Sequence, residues 1–292
     1  MVKRFCSILL IFIGCIHFNA VAQDSIPFKA YEDTLIKLGK RIWACRDDSS
    51  RIIANNNFFQ KFRSVLSLHG SYKYPFDSLK DISHLKSDDN RIRITSWNIP
   101  INNGSYRYFG FLETAGGELF PLLGKSSEIQ GWQNLKLPAE KWYGAVYFKI
   151  IKVSYSKTDY YTLLGWDGHD AVSNYKLIDV LTLDVKGNPS FGSPVFKTAE
   201  GVKNRVIIEY AEKANALLRY DYQTQLIPRG KTFKKKKTWM IVTDRLIPMD
   251  PSMKGIRKYY VPAGDTYDAF IFRDGFWTLV EDVEVTNSPA SK

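Results

Sequence analysis

Hydrophobic and polar positions change their spacing twice along this chain. The first 22 residues carry Lys3 and Arg4, then an apolar run from Phe5 to Ile16, then Ala20-Val21-Ala22 ahead of Gln23. A basic start, a short apolar stretch and a small-x-small triplet in that order predict a cleavable export signal, with Gln23 opening the mature chain. The apolar run falls short of the roughly 20 residues a membrane-spanning helix needs, and no later segment approaches that length. A competing reading makes Phe12-Ile13-Gly14 the lead to an acylated Cys15. Phenylalanine stands there where such signals carry leucine, and apolar residues continue to Val21, so cleavage after Ala22 is the expectation.

From Ile26 to Leu68 the apolar residues recur with helical spacing. Tyr31, Leu35, Leu38, Ile42 and Cys45 mark one face, Asp47-Asp48-Ser49-Ser50 interrupts and supplies N-cap residues, and Ile52, Ile53, Phe58, Phe59, Phe62, Val65 and Leu66 mark a second face. Two antiparallel helices follow from this. After Lys86 the β-branched and aromatic residues take over. Strands are predicted at Arg91 to Ile99, with a slip of phase between Ile94 and Trp97 that suggests a bulge, and at Tyr106 to Thr114, Trp142 to Ser154, Asp159 to Trp166 and Leu177 to Val185. Asn204 to Tyr210 and Asn215 to Tyr222 read as a hairpin around Glu212-Lys213, followed by Thr238 to Thr243. Tyr267 to Arg273 and Phe276 to Val283 read as another, joined at Asp274-Gly275, the strongest short hairpin signal in the chain.

The pattern therefore predicts a mainly β (α+β) protein. Residues 23–80 form a helical section, 86–285 a large antiparallel β domain shaped as a sandwich, barrel or propeller, and 286–292 a small polar tail without order.

Composition narrows the class. The chain is 45% apolar and 14% aromatic, ample for a true core. Loss of the leader removes Cys6, Cys15 and two positive charges, so the net +11 becomes +9 and Cys45 is left with no disulfide partner. Its place on the apolar helical face predicts a buried small hydrophobe. The basic excess favours acidic partners: an acidic envelope polymer or an anionic lipid surface, and not nucleic acid, which an exported chain rarely meets.

Candidate chemistry is sparse. Only His69, His84 and His169 survive processing, and no His-Glu-x-x-His, Cys-x-x-Cys or Gly-x-Ser-x-Gly occurs, which withdraws support from zinc-peptidase, zinc-ribbon and α/β-hydrolase readings. Ser83 to Lys86 and Ser154 to Lys157 match Ser-x-x-Lys, at the rate chance gives. No metal site and no cofactor is expected. The densest polar cluster runs from Tyr160 to Asp170. Trp166 and Tyr160 could stack on a sugar, and Asp167, His169 and Asp170 could share acid and base roles, although Asp-Gly also makes an ordinary tight turn. Asp179, Asp184, Glu209, Asp221, Asp244 and Asp250 could include a glycosidase pair only if the sheet brings two together. From Arg229 to Lys237 six of nine residues are basic: Lys231, Lys234, Lys235, Lys236 and Lys237 are the candidate contacts to an acidic ligand, on what reads as a solvated loop between strands.

The runs Trp142-Tyr143-Gly144-Ala145-Val146-Tyr147-Phe148-Lys149-Ile150-Ile151, Tyr161-Thr162-Leu163-Leu164-Gly165-Trp166-Asp167-Gly168 and Pro189-Ser190-Phe191-Gly192 resemble a family of exported Bacteroidota proteins without assigned activity, as do Tyr74 to Leu79 and Arg93 to Asn98. The resemblance implies location and one continuous architecture, and no catalytic residue. Together these readings point to a non-catalytic periplasmic, outer-membrane-associated or secreted protein that binds an acidic or glycan partner. The alternative is an envelope hydrolase acting on glycan or peptide, centred on Asp167, His169 and Asp170.

Overall fold

Two helices open the described chain, α1 (Phe28–Ala44) and α2 (Asp48–Leu66). The computed structural model describes residues 27–229 and 232–285; the leader, Gly230, Lys231 and the tail from Thr286 lie outside it. Asp47 caps α2 by accepting the Ser50 N–H at 2.8 Å, as the acidic cluster predicts. Cys45 differs from expectation. It stands just past the end of α1, half-buried, with its thiol 3.2 Å from the Arg41 carbonyl, because the helix stops one residue before it. Ile53, on the predicted apolar face, is exposed, since the face that packs inward is set by Asn55, Phe58, Phe59 and Phe62.

Sixteen strands follow among the described residues. They are β1 (Ser83–Lys86), β2 (Ile92–Pro100), β3 (Tyr106–Thr114), β4 (Leu119–Leu123), β5 (Leu137–Pro138), β6 (Val146–Tyr155), β7 (Thr158–Asp167) and β8 (Ser173–Leu183), then β9 (Pro189–Phe191), β10 (Phe196–Thr198), β11 (Gly201–Lys203), β12 (Val206–Ala211), β13 (Leu218–Arg229), β14 (Thr232–Pro248), β15 (Tyr260–Arg273) and β16 (Phe276–Val283). They make three sheets. The first runs β1-β2-β3-β4, the second β5-β9-β8-β7-β6 with β12 also on β8, and the third β11-β10-β16-β15-β14-β13. Pairing is antiparallel except for β10 on β16.

Three of the four hydrophobic clusters show how these layers stack. Trp97, Ile99 and Phe111 of the first sheet pack with Leu35, Phe58 and Phe62 of the helices. Ile92, Ile94 and Leu112 of the same sheet pack the other way, onto Tyr147, Leu163 and Leu177 of the second. Leu164, Ile178 and Val180 then face Ile241, Phe270 and Trp277 of the third. The protein is thus helices on sheet on sheet on sheet. Both middle layers are buried on two faces, so their strands lose the polar alternation of a half-exposed strand. That explains the phase slip in β2: its register with β3 is unbroken from Ile92↔Thr114 to Pro100↔Tyr106, so no bulge exists. Ile94 and Trp97 simply serve different cores.

The expected hairpin around Glu212-Lys213 does not form. β12 pairs with β8 of the second sheet and β13 with β14 of the third, so the chain changes layer between them. The Asp274-Gly275 hairpin forms as predicted, with Arg273 opposite Phe276.

One half-buried group on β1 should make the fold acid-sensitive. The His84 ring stacks on Phe76 at 6.1 Å, its Nδ1 lies 3.1 Å from Thr95 Oγ1, and its Nε2 is buried without a partner. Burial, then the Arg93 charge, pushes its pKa from 6.5 down to about 3. A folded-state value below the unfolded one means that the unfolded chain takes the proton first. The stabilisation is whole above about pH 6.5 and falls by roughly 1.4 kcal/mol per pH unit below it, until the folded value is reached. Urea unfolding between pH 7 and 5 should show this slope, and His84→Leu should flatten it; an unchanged slope in the variant would assign it elsewhere.

Candidate functional site

The lysine run is not a loop. Lys234 to Lys237 lie within β14, opposite Ile227, Leu226, Gln225 and Thr224 of β13. β15 joins β14 only from Ile241 onward, so from Thr232 to Met240 the strand is paired on one side alone. Successive residues of a strand point to opposite faces, and all four lysines are exposed. In this two-stranded ribbon the lysines therefore reach solvent on either side of β14, whereas their β13 partners Thr224 and Gln225 are buried. Lys235 reaches Glu284 at 3.4 Å; Lys234, Lys236 and Lys237 have no ion pair among the described residues. Lys231 lies outside the described residues.

At the base of the ribbon stands an aromatic pair the sequence did not single out. Tyr222 and Trp239 are cross-strand partners, 50% and 53% exposed, with ring centroids 5.5 Å apart. Tyr220 stacks on Trp239 at 5.0 Å. Trp239 shares its strand face with Lys235 and Lys237. Only the β13–β14 register reveals this pairing.

The predicted aromatic pair is different. Tyr160 and Trp166 occupy the same face of β7 but are six residues apart, about 20 Å along a strand. Tyr160 packs against the core between the second and third sheets, and Trp166 sits edge-on to Tyr106 at 5.5 Å. One sugar ring cannot touch both.

Asp167, His169 and Asp170 build a turn. Asp167 is buried, accepts the Tyr143 hydroxyl and accepts the His169 N–H at 2.8 Å. Gly168 donates its N–H to the Tyr108 hydroxyl at 2.7 Å, and a Cβ there would lie 2.3 Å from the Tyr106 ring, so only glycine fits. Asp170 caps the next turn through the N–H groups of Val172 and Ser173, both at 2.8 Å. His169 stacks on Tyr175 at 4.1 Å, with Nε2 3.6 Å from Asp170. The three carboxylate and imidazole groups are neighbours with separate structural tasks.

Of the six scattered acids, Asp179 is buried against Arg205, Asp184 and Asp250 cap turns, and Asp221 pairs with Arg219. Glu209 and Asp244 alone line one cavity, a cleft of about 720 Å³ between the free edge of β12 and the third sheet. One wall is Arg205 to Glu209; the other is Thr243, Asp268, Phe270, Leu279 and Glu281. Register shifts in β14 after Asp244 and in β15 after Tyr267 turn Arg245 onto Asp268 at 2.6 Å. Asp244 accepts the Leu217 N–H at 2.7 Å, and burial raises its pKa. Tyr175, which supports His169, also lines the cleft beside Glu209.

Among the described residues no three His, Cys, Asp or Glu side chains gather as a metal site would require, and no helix is long and apolar enough to cross a membrane. Comparison of the chain with protein-family profiles, with curated proteins and with solved structures gives no match.

Proposed function

We propose that the mature chain is an exported, non-catalytic binding protein of the cell envelope, periplasmic or held at the outer membrane, that grips an acidic glycan through the lysine ribbon. Export rests on the leader, whose residues lie outside the described structure. The observation that carries the binding reading is the half-exposed Trp239–Tyr222 pair on the same face of β14 as Lys235 and Lys237. An aromatic face supplies apolar contact to a sugar ring while adjacent ammonium groups meet its carboxylates. A surface meant only for anionic lipid needs the charge but not the aromatic platform.

The test compares polygalacturonate, neutral dextran and anionic phosphatidylglycerol vesicles. Replacing Lys234, Lys235, Lys236 and Lys237 together by glutamine should weaken polygalacturonate binding by about tenfold or more and remove most of its salt dependence, since exposed charges are screened over about 8 Å at physiological ionic strength. Trp239→Ala should weaken the polymer about fivefold and leave vesicle binding unchanged. Polymer binding indifferent to the lysines, or vesicle binding that exceeds polymer binding and ignores Trp239, would overturn the reading.

A further inference from the structure

The free edge of β12 lies apart from the lysine ribbon, in a cleft whose unpaired charges are mainly acidic. β12 pairs with β8 alone. The bond from the Glu212 N–H to the Val172 carbonyl, 2.9 Å, continues that ladder. Antiparallel residues alternate between bonded and non-bonded pairs, so Val206, Ile208 and Tyr210 turn their main-chain groups toward β8, whereas Ile207 and Glu209 turn theirs away. Flanking bonds agree with this phase: the Arg205 N–H points outward to the Gln133 carbonyl at 3.3 Å, and the Ala211 carbonyl accepts the Ala214 N–H at 2.9 Å. Between them, no group of the described residues bonds to the N–H or C=O of Ile207 or Glu209.

Sheet edges are usually blunted by lysine, proline or a covering element. β12 reads Val-Ile-Ile-Glu-Tyr-Ala and carries neither lysine nor proline; the short turn Arg257–Tyr259 packs close to it. Its protection is position: it lies inside the 720 Å³ cleft, half-buried, facing a wall with which it does not pair. The charges of the cleft are also specific. Arg205 is spent on Asp179, Arg245 on Asp268, and Lys203 lies 3.8 Å from Glu200. That leaves Glu209, Glu281 and Asp244, which accepts the Leu217 N–H, against Arg257, an acidic excess in a chain of net +11.

We propose that this cleft docks an extended peptide segment of another protein as an added strand on β12. Its main chain bonds Ile207 and Glu209, basic side chains at alternate positions face Glu209, and apolar ones between them face Phe270 and Leu279. Strand addition of this kind draws affinity from the main chain and selectivity from alternate side chains.

The experiment uses the mature chain and a blocked hexapeptide of alternating valine and lysine, beside the same peptide methylated at every backbone nitrogen. The parent peptide should bind about tenfold more tightly or better, because methylation deletes its donors and keeps its charge. Amide exchange at Ile207 and Glu209 should slow by a similar factor on binding. Glu209→Gln should weaken the peptide about threefold, the scale of an exposed charge contact, with polygalacturonate binding unchanged. Equal affinity for the two peptides, no binding of either, or exchange at Ile207 and Glu209 already slow in the free chain, as occupation by the chain's own tail or a second copy would cause, each overturns the proposal.

Discussion

Arg93→Ala is expected to cost the folded state about 3–5 kcal/mol, the range for breaking a buried ion pair on one side. Arg93 and Glu113 are cross-strand partners on β2 and β3, both nearly inaccessible, joined by Nε and Nη2 bonds of 2.6 and 2.7 Å. The remaining donors reach the Tyr74 carbonyl at 2.7 Å and the Ser71 carbonyl at 3.1 Å, so one guanidinium clasps the connector after α2 to the first sheet. Its plane also lies over Phe76 at 5.3 Å. Alanine would strand Glu113, whose carboxyl burial already pushes up, together with two carbonyls. Urea unfolding measures the loss. Arg93→Met with Glu113→Leu should lose less than Arg93→Ala alone, because a removed pair leaves no orphan charge. A double variant as damaged as the single one would place the stabilisation in packing against Phe76 instead.

How much of this could be read from the chain depends on the range of the interactions. Local signals survived: the helical faces of Leu35, Ile42 and Phe62, the Asp47 cap and the Asp274-Gly275 turn are all set within a few residues. Strand positions were legible, but their faces were not. Ile92 to Trp97 and Tyr161 to Gly165 are buried on both sides, so alternation, the cue for a half-exposed strand, was absent. The transfer of β12 to β8 is settled by pairing across about thirty residues and leaves no local mark. Lys234 to Lys237 looked like a loop because four consecutive exposed charges give that stretch of β14 no apolar side to show. Trp239 with Tyr222, and Glu209 beside Glu281, become neighbours only through register and layer packing. The candidate sites were therefore partly visible as residues and invisible as arrangements.

Arg205→Ala is expected to show both consequences of such an arrangement, a loss of about 3–5 kcal/mol and a loosened cleft. Arg205 is fully buried and its Nε lies 3.2 Å from Asp179, equally buried. Its Nη1 donates to the Trp132 carbonyl and, at 3.1 Å, to the Leu135 carbonyl. A Cβ on Gly192 would come within 2.7 Å of Nη2, so glycine there makes room for the guanidinium. Removing the side chain abandons Asp179 in the core, where burial already raises its pKa, and releases the Gly131 to Asn134 segment that lines the cleft. Lysine is no substitute, since a single ammonium lacks the planar fork that serves a carboxylate and two carbonyls at once. Arg205→Lys should therefore recover less than half of the loss, and limited proteolysis should cut near Trp132 faster in both variants. Because Arg205 also fixes where β12 begins, hexapeptide binding should weaken in Arg205→Lys under conditions where the fold persists, while polygalacturonate binding at the distant ribbon stays level. Stability unchanged by Arg205→Ala would mean that Asp179 is carried neutral and that the pair contributes nothing to holding the second sheet against its loop.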